Sequence, residues 1–175
     1  MTDTYVLLLR GINVNPTTRV AMGDLRSIVT GLGYSDVSTI LQSGNILVSS
    51  AAGPDVPKIE AAIASGTGVR SKVIALPLAT FRTLVEDNPL LGVSDDLSKM
   101  VITFLPAPIE VAKIERPSDA ELEPERLVIT PNAVYQFCPL GILKSQLSPS
   151  WWRQFGGVVT ARNVRTANRI LAATE

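Results

Sequence analysis

Three groups of residues in this chain combine types that could hold an anion: Arg10 with Asn13, then Ser43, Gly44 and Asn45, then Thr160, Arg162 and Asn163. Arginine presents a planar fork of donors matched to carboxylate or phosphate oxygens. Asparagine, serine and threonine add uncharged hydrogen bonds, and glycine lets backbone come close to a ligand. Thr160 or Asn163 is placed to cap the last helix, whose first N–H groups and partial positive charge favour a bound anion. On that helix Arg162, Arg165 and Arg169, spaced i, i+3 and i+7, form a basic stripe, while Val164, Ala167 and Leu171 face a core. The same residues also have structural readings. Gly11, Asn13, Gly44 and Asn45 suit left-handed turn backbone, Ser43 suits a local hydrogen bond, and Asn163 suits a cap on a solvated helix face.

Other chemistries are excluded by composition. The chain has no histidine, so Ser-His-Asp hydrolysis, Cys-His proteolysis and histidine-containing zinc sites are absent. One cysteine, Cys138, forms no internal disulfide and reads as a small hydrophobe within VYQFC. No Walker A or G-x-G-x-x-G pattern occurs. An enzyme built on this chain would hold its substrate with arginine and move protons with a carboxylate such as Asp24 or a hydroxyl. No metal site or cofactor is assigned.

The elements that position these residues follow from periodicity. Residues 5–10 form an apolar run closed by Arg10, and turn chemistry follows at Gly11 and Asn13 to Pro16. Met22, Leu25, Val29 and Leu32 recur at helical spacing ahead of Gly33. Residues 37–42 and 46–50 read as strands flanking Ser43-Gly44-Asn45, Pro57 opens a second helix carrying Ile59, Ala62 and Ile63, and residues 69–76 form another strand. After a linking helix at 80–87 the order recurs: a strand at 100–105, a helix at 109–115, a hairpin of 126–130 with 133–138, a helix at 149–155, a strand at 158–160 and a helix at 164–173. Trp151 and Trp152 open the helix at 149–155, one expected in the core and its neighbour exposed. Residues 117–125 read as an exposed loop. The expectation is an α+β fold of two ferredoxin-like βαββαβ halves with antiparallel sheets, 1–78 and 99–175, joined by a helix and loop at 79–98.

Net charge is zero, yet residues 86–125 carry ten acids against three bases and residues 126–175 carry six bases against one acid. No apolar run approaches the roughly 20 residues of a membrane-spanning helix, and the first residues lack a basic leader, so a cytoplasmic protein is expected.

The stretches LLRGINVNPTTRVAMGDLR (8–26), TILQSGNILVSS (39–50) and TARNVRTANRIL (160–171) resemble domain-of-unknown-function family 1697, bacterial proteins of similar length. The resemblance implies the fold and carries no activity. Asn15-Pro16-Thr17 stands where that family commonly has paired glycines, and Ile40, Val48 and Val164 stand where it tends to have aromatics.

The reading that results is binding of a small phosphate- or carboxylate-bearing ligand or nucleotide through Arg10, Asn13, Ser43, Gly44, Asn45, Thr160, Arg162 and Asn163. An enzyme acting on an anionic substrate and a protein-interaction module are the alternatives. Nucleic acid is disfavoured, because a base-stacking sheet needs aromatics and YVLLLR offers only Tyr5. The oligomeric state stays open.

Overall fold

The computed structural model describes residues Met1–Glu175. It divides into two compact units, Met1–Arg82 and Thr83–Glu175.

In the first unit, strands β1 (Asp3–Arg10), β2 (Ser35–Ile40), β3 (Asn45–Ser50) and β4 (Lys72–Pro77) form an antiparallel sheet in the order β2-β3-β1-β4. Helices α1 (Met22–Gly31) and α2 (Val56–Thr67) bury Leu25, Val29, Ile59 and Ile63 against Leu7, Leu9, Ile46, Val48 and Val73. Fully burying a side chain of this kind stabilises the fold by roughly 1.5–3 kcal/mol. Val6 and Leu8, on the opposite face of β1, are also buried, which is why this strand reads as a continuous apolar run rather than an alternation. α2 starts on an Asp55 cap, whose side chain accepts from Lys58 N–H, and ends at Gly68 in the left-handed conformation.

The second unit repeats the strand arrangement. After α3 (Leu78–Glu86), which spans the division between the units, come β5 (Met100–Phe104), β6 (Arg126–Ile129), β7 (Ala133–Phe137) and β8 (Thr160–Asn163), in the order β6-β7-β5-β8. This is the first order shifted by four, so both expected halves and their antiparallel sheets are present. The helices differ from expectation. Between β5 and β6 the chain has a 3-10 turn, Val111–Lys113, and the single-turn α4 (Asp119–Leu122), in place of a helix over 109–115. Pro106, Pro108 and Pro117 lack the N–H groups that a longer helix there would use. Residues 117–125 are correspondingly no simple exposed loop: Ser118 and Glu121 form a capping box, and Leu122 and Glu125 are buried. Trp151–Phe155 is a 3-10 turn in which both tryptophans are half-buried, with Phe155 in the core. α5 (Val164–Ala172) closes the chain with Val164, Ala167, Ile170 and Leu171 inward.

No helix is long and apolar enough to cross a membrane.

Candidate functional site

The polar residues after β1 and between β2 and β3 meet at one end of the first sheet. Gly11 and Asn13 take left-handed backbone, with φ of 75° and 55°, and turn the chain away from the strand. The Asn13 amide then ties three segments together: its Oδ1 accepts from Val20 N–H at 2.9 Å, and its Nδ2 donates to Val20 O at 3.1 Å and Gln42 O at 2.7 Å. Within the loop so closed, Asn15 caps a 3-10 turn, Pro16–Thr18, with Pro16 at its first position. Thr18 Oγ1 accepts from Asn15 N–H at 3.2 Å in return. The proline at this position is thus part of a capped turn, its fixed φ suited to the first position.

Ser43, Gly44 and Asn45 form the facing turn between β2 and β3. Asn45 is fully buried and its Nδ2 donates to Ile40 O at 2.8 Å and Ser43 Oγ at 2.9 Å. Gly44 has φ 82° and its carbonyl accepts from Leu9 N–H at 2.8 Å. A Cβ there would lie 2.6 Å from Ile12 Cδ1 and 2.8 Å from Leu9 Cβ, so the turn seats on the strand only with glycine. Leu41, in the same turn, has φ 60°, a conformation that costs a bulky residue about 1–2 kcal/mol.

Beside that turn lies an open groove of about 640 Å³, lined by residues 13–16, 19–21 and Gln42; Ser43, Gly44 and Asn45 do not line it. Arg19 is exposed and is the charged residue of this lining. Ala21, the N-cap of α1, lines the groove and supplies no side-chain hydrogen bond to the helix start. Asp24 is the acid of that first turn and is exposed. Arg10 ends β1 opposite Lys72, and its carbonyl accepts from Ser71 Oγ at 2.9 Å; it does not line the groove. Arg19, Val14 and Gln42 were not singled out from sequence. Arg19 sits in an aperiodic segment between elements, and only its place inside the first quoted stretch marks it.

Thr160, Arg162 and Asn163 belong to the second unit. There the expected basic stripe is corrected: β8 runs over Thr160–Asn163, so Arg162 is a strand residue opposite Ile102 and not a helix residue. It is 8% exposed, and its Nη1 donates to Thr160 Oγ1 at 3.1 Å and Ala161 O at 2.8 Å. Burial pulls its guanidinium down to about 10, still charged at neutral pH. Asn163 caps α5 by accepting from Thr166 N–H at 2.8 Å. Arg165 meets Asp96 at 3.5 Å on the surface, and Arg169 is exposed.

A further polar cluster, not foreseen from sequence, surrounds the buried Glu125. Its carboxylate accepts from Gln146 N–H at 2.6 Å and Ser145 Oγ at 2.9 Å, with Cys138 Sγ at 3.8 Å. Ser145 Oγ also accepts from Gln136 Nε2 and Leu147 N–H, each at 3.2 Å, so its proton and both lone pairs are used. That hydroxyl is an anchor for the 145–147 segment, with no lone pair left to attack a substrate. Burial, and then the Glu125 charge, push the Cys138 thiol up to about 12, which keeps it protonated and unreactive. No group of three His, Cys, Asp or Glu residues is arranged to hold a metal ion.

A family model described as protein of unknown function, DUF1697, matches residues 1–135. A solved structure of a conserved bacterial protein from Streptococcus pneumoniae superposes with a TM-score of 0.74 at 26% identity, covering 100% of both chains. The family match ends before the 160–171 stretch, which the structural likeness does include. No curated protein matches this sequence significantly.

Proposed function

This chain belongs to the DUF1697 family, whose description carries no activity, and from that premise we propose that it binds a small anionic ligand in the groove between the residue 11–21 loop and the β2–β3 turn. The observation that carries the reading is Arg19 lining a groove of about 640 Å³ beside the uncapped start of α1. That volume falls within the roughly 300–1,000 Å³ of small-molecule sites. A guanidinium and free helix N–H groups act on an anion in the same sense, one by charge and bidentate hydrogen bonds, the other by aligned donors. In this reading Asn13 lines the groove and ties its loop to Gln42, Ser43, Gly44 and Asn45 hold the turn that carries Gln42, and Arg19 makes the contact. Arg10 adds positive potential at the same end of the sheet. Thr160, Arg162 and Asn163 serve the second unit's own fold through the bonds already described.

The test is isothermal titration calorimetry of the full chain with inorganic phosphate, acetate and AMP, on wild type and Arg19→Gln. The expected result is saturable binding of at least one anion, weakened tenfold or more by the substitution. Binding unchanged in Arg19→Gln, or no binding of any probe at millimolar concentration, overturns the reading.

A further inference from the structure

We infer that the anion accepted by this groove is a monocarboxylate with a saturated aliphatic chain, and not a nucleotide or polyphosphate. The inference rests on the proposed binding role of the groove and narrows it to a substrate class. Charge supplies the first limit. Arg19 is the charged residue of the lining, and the first turn of the adjacent helix already carries the Asp24 carboxylate. One guanidinium balances one negative charge, whereas a di- or triphosphate would bring several beside an existing carboxylate.

Aromatic content supplies the second limit. The lining contains no phenylalanine, tyrosine or tryptophan, so a nucleobase finds no ring to stack on. Its apolar part is aliphatic instead: Val14, Pro16, Val20 and Ala21. Val14 is 70% exposed, leaving free apolar surface on the groove wall that a hydrocarbon chain would cover.

The facing turn adds aliphatic surface next to the groove residue Gln42. Asn13 and Leu41 are two of the three non-glycine residues with positive φ, and they occupy the facing loops. At Leu41 the turn chemistry favours glycine or asparagine, yet the chain places there an aliphatic side chain that is 37% exposed, next to the groove residue Gln42. A carboxylate at Arg19 with methylenes running along Val14 and Pro16 uses both the charge and the aliphatic surface of the lining.

The test measures affinities of acetate, butanoate, hexanoate and octanoate, with 1-hexanol, inorganic phosphate and AMP as comparison probes, for the full-length wild type, Val14→Ser and Arg19→Gln. Each added methylene is expected to tighten binding by about two- to fourfold until the groove is filled. Val14→Ser is expected to flatten that dependence and leave acetate unchanged. Arg19→Gln is expected to weaken all the carboxylates by a similar factor, and 1-hexanol should bind at least tenfold more weakly than hexanoate. Both substitutions are at exposed positions, so folded variants are expected, and circular dichroism checks this. Arg19-dependent binding of phosphate or AMP, without a chain-length dependence among the carboxylates, sinks the aliphatic assignment and leaves the anion site standing. Equal binding of 1-hexanol and hexanoate also overturns the assignment. If no probe binds in an Arg19-dependent way, both readings fall.

Discussion

Gly44→Ala probes the turn that carries the groove residue Gln42 and the sheet beneath it in one substitution. Two costs add. An L-residue held at φ 82° pays about 1–2 kcal/mol for its Cβ. That Cβ also comes to 2.6 Å from Ile12 Cδ1 and 2.8 Å from Leu9 Cβ. Leu9 and Ile12 are 1% and 2% exposed, so neither can swing outward, and forced overpacking of this kind costs about 1–3 kcal/mol. The sum is about 3 kcal/mol, which corresponds to a loss of roughly 6–12 °C in melting temperature for a chain of this size. A matched control is Gly23→Ala in α1, where φ is not positive and no atom lies within 4 Å of an added Cβ. There the helix gains propensity, by at most about 0.5–1 kcal/mol because Gly23 stands in the first turn. Thermal and urea unfolding followed by far-ultraviolet circular dichroism would read both variants, and opposite signs are the expected outcome. A Gly44→Ala protein within 0.5 °C of wild type would refute the argument that this turn is seated by glycine.

Removal of the α5 cap by Asn163→Ala is expected to cost about 1 kcal/mol of stability, with Asn163→Asp recovering most of it, as measured by urea denaturation. Arg162→Ala should destabilise by about 3 kcal/mol, because a buried guanidinium and its acceptors lose one another. Arg165→Ala should leave the melting temperature unchanged; equal effects of the two would restore the surface-stripe expectation. Cys138 should resist a thiol-specific disulfide reagent in the native protein and react once guanidinium unfolds it. Alkali should weaken the fold: Cys138 is raised from an ordinary 9.0 to about 12 and Tyr135 from 10.0 to about 12, both chiefly by burial. The unfolded chain therefore releases protons that the folded chain retains. Their contribution to stability is full below pH 9 and is lost as pH rises to about 12, and Tyr135→Phe should flatten the upper part of that slope.

Burial on both faces made β1 legible, since YVLLLR carries an uninterrupted apolar run into a glycine turn. The α1 periodicity of Leu25 and Val29 was as plain, and the Ser43-Gly44-Asn45 break located the hairpin. The C-terminal strand was misplaced because TARN is polar and carries no alternation. Its strand state comes from pairing with β5, a tertiary cause that local propensity does not record. Placing that strand at 158–160 moved Arg162 onto a helix surface, and the basic stripe followed from the error. The helices of the second unit fell short for a related reason: Pro106, Pro108 and Pro117 punctuate a segment whose apolar pairs, Ile109 with Ala112 and Val111 with Ile114, mimic helical i, i+3 spacing. In the groove, the asparagines and glycines were recognisable as turn formers. The cation between them was not, because a lone arginine in a connecting segment has no pattern.

The aromatic cluster has a practical use. Both tryptophans of the chain lie in the second unit, their rings 4.8 Å apart and nearly perpendicular at 85°, with Phe155 at 5.2 Å from Trp151. The first unit, which carries the groove, contains tyrosines but no indole. Intrinsic indole emission is therefore a natural label on one unit alone. A ligand that quenches or shifts it has altered the surroundings of these two rings, while a ligand seen by calorimetry and silent in emission has left them undisturbed. The chain carries its own two-channel readout, and no dye has to be attached to tell local binding from a response that spreads.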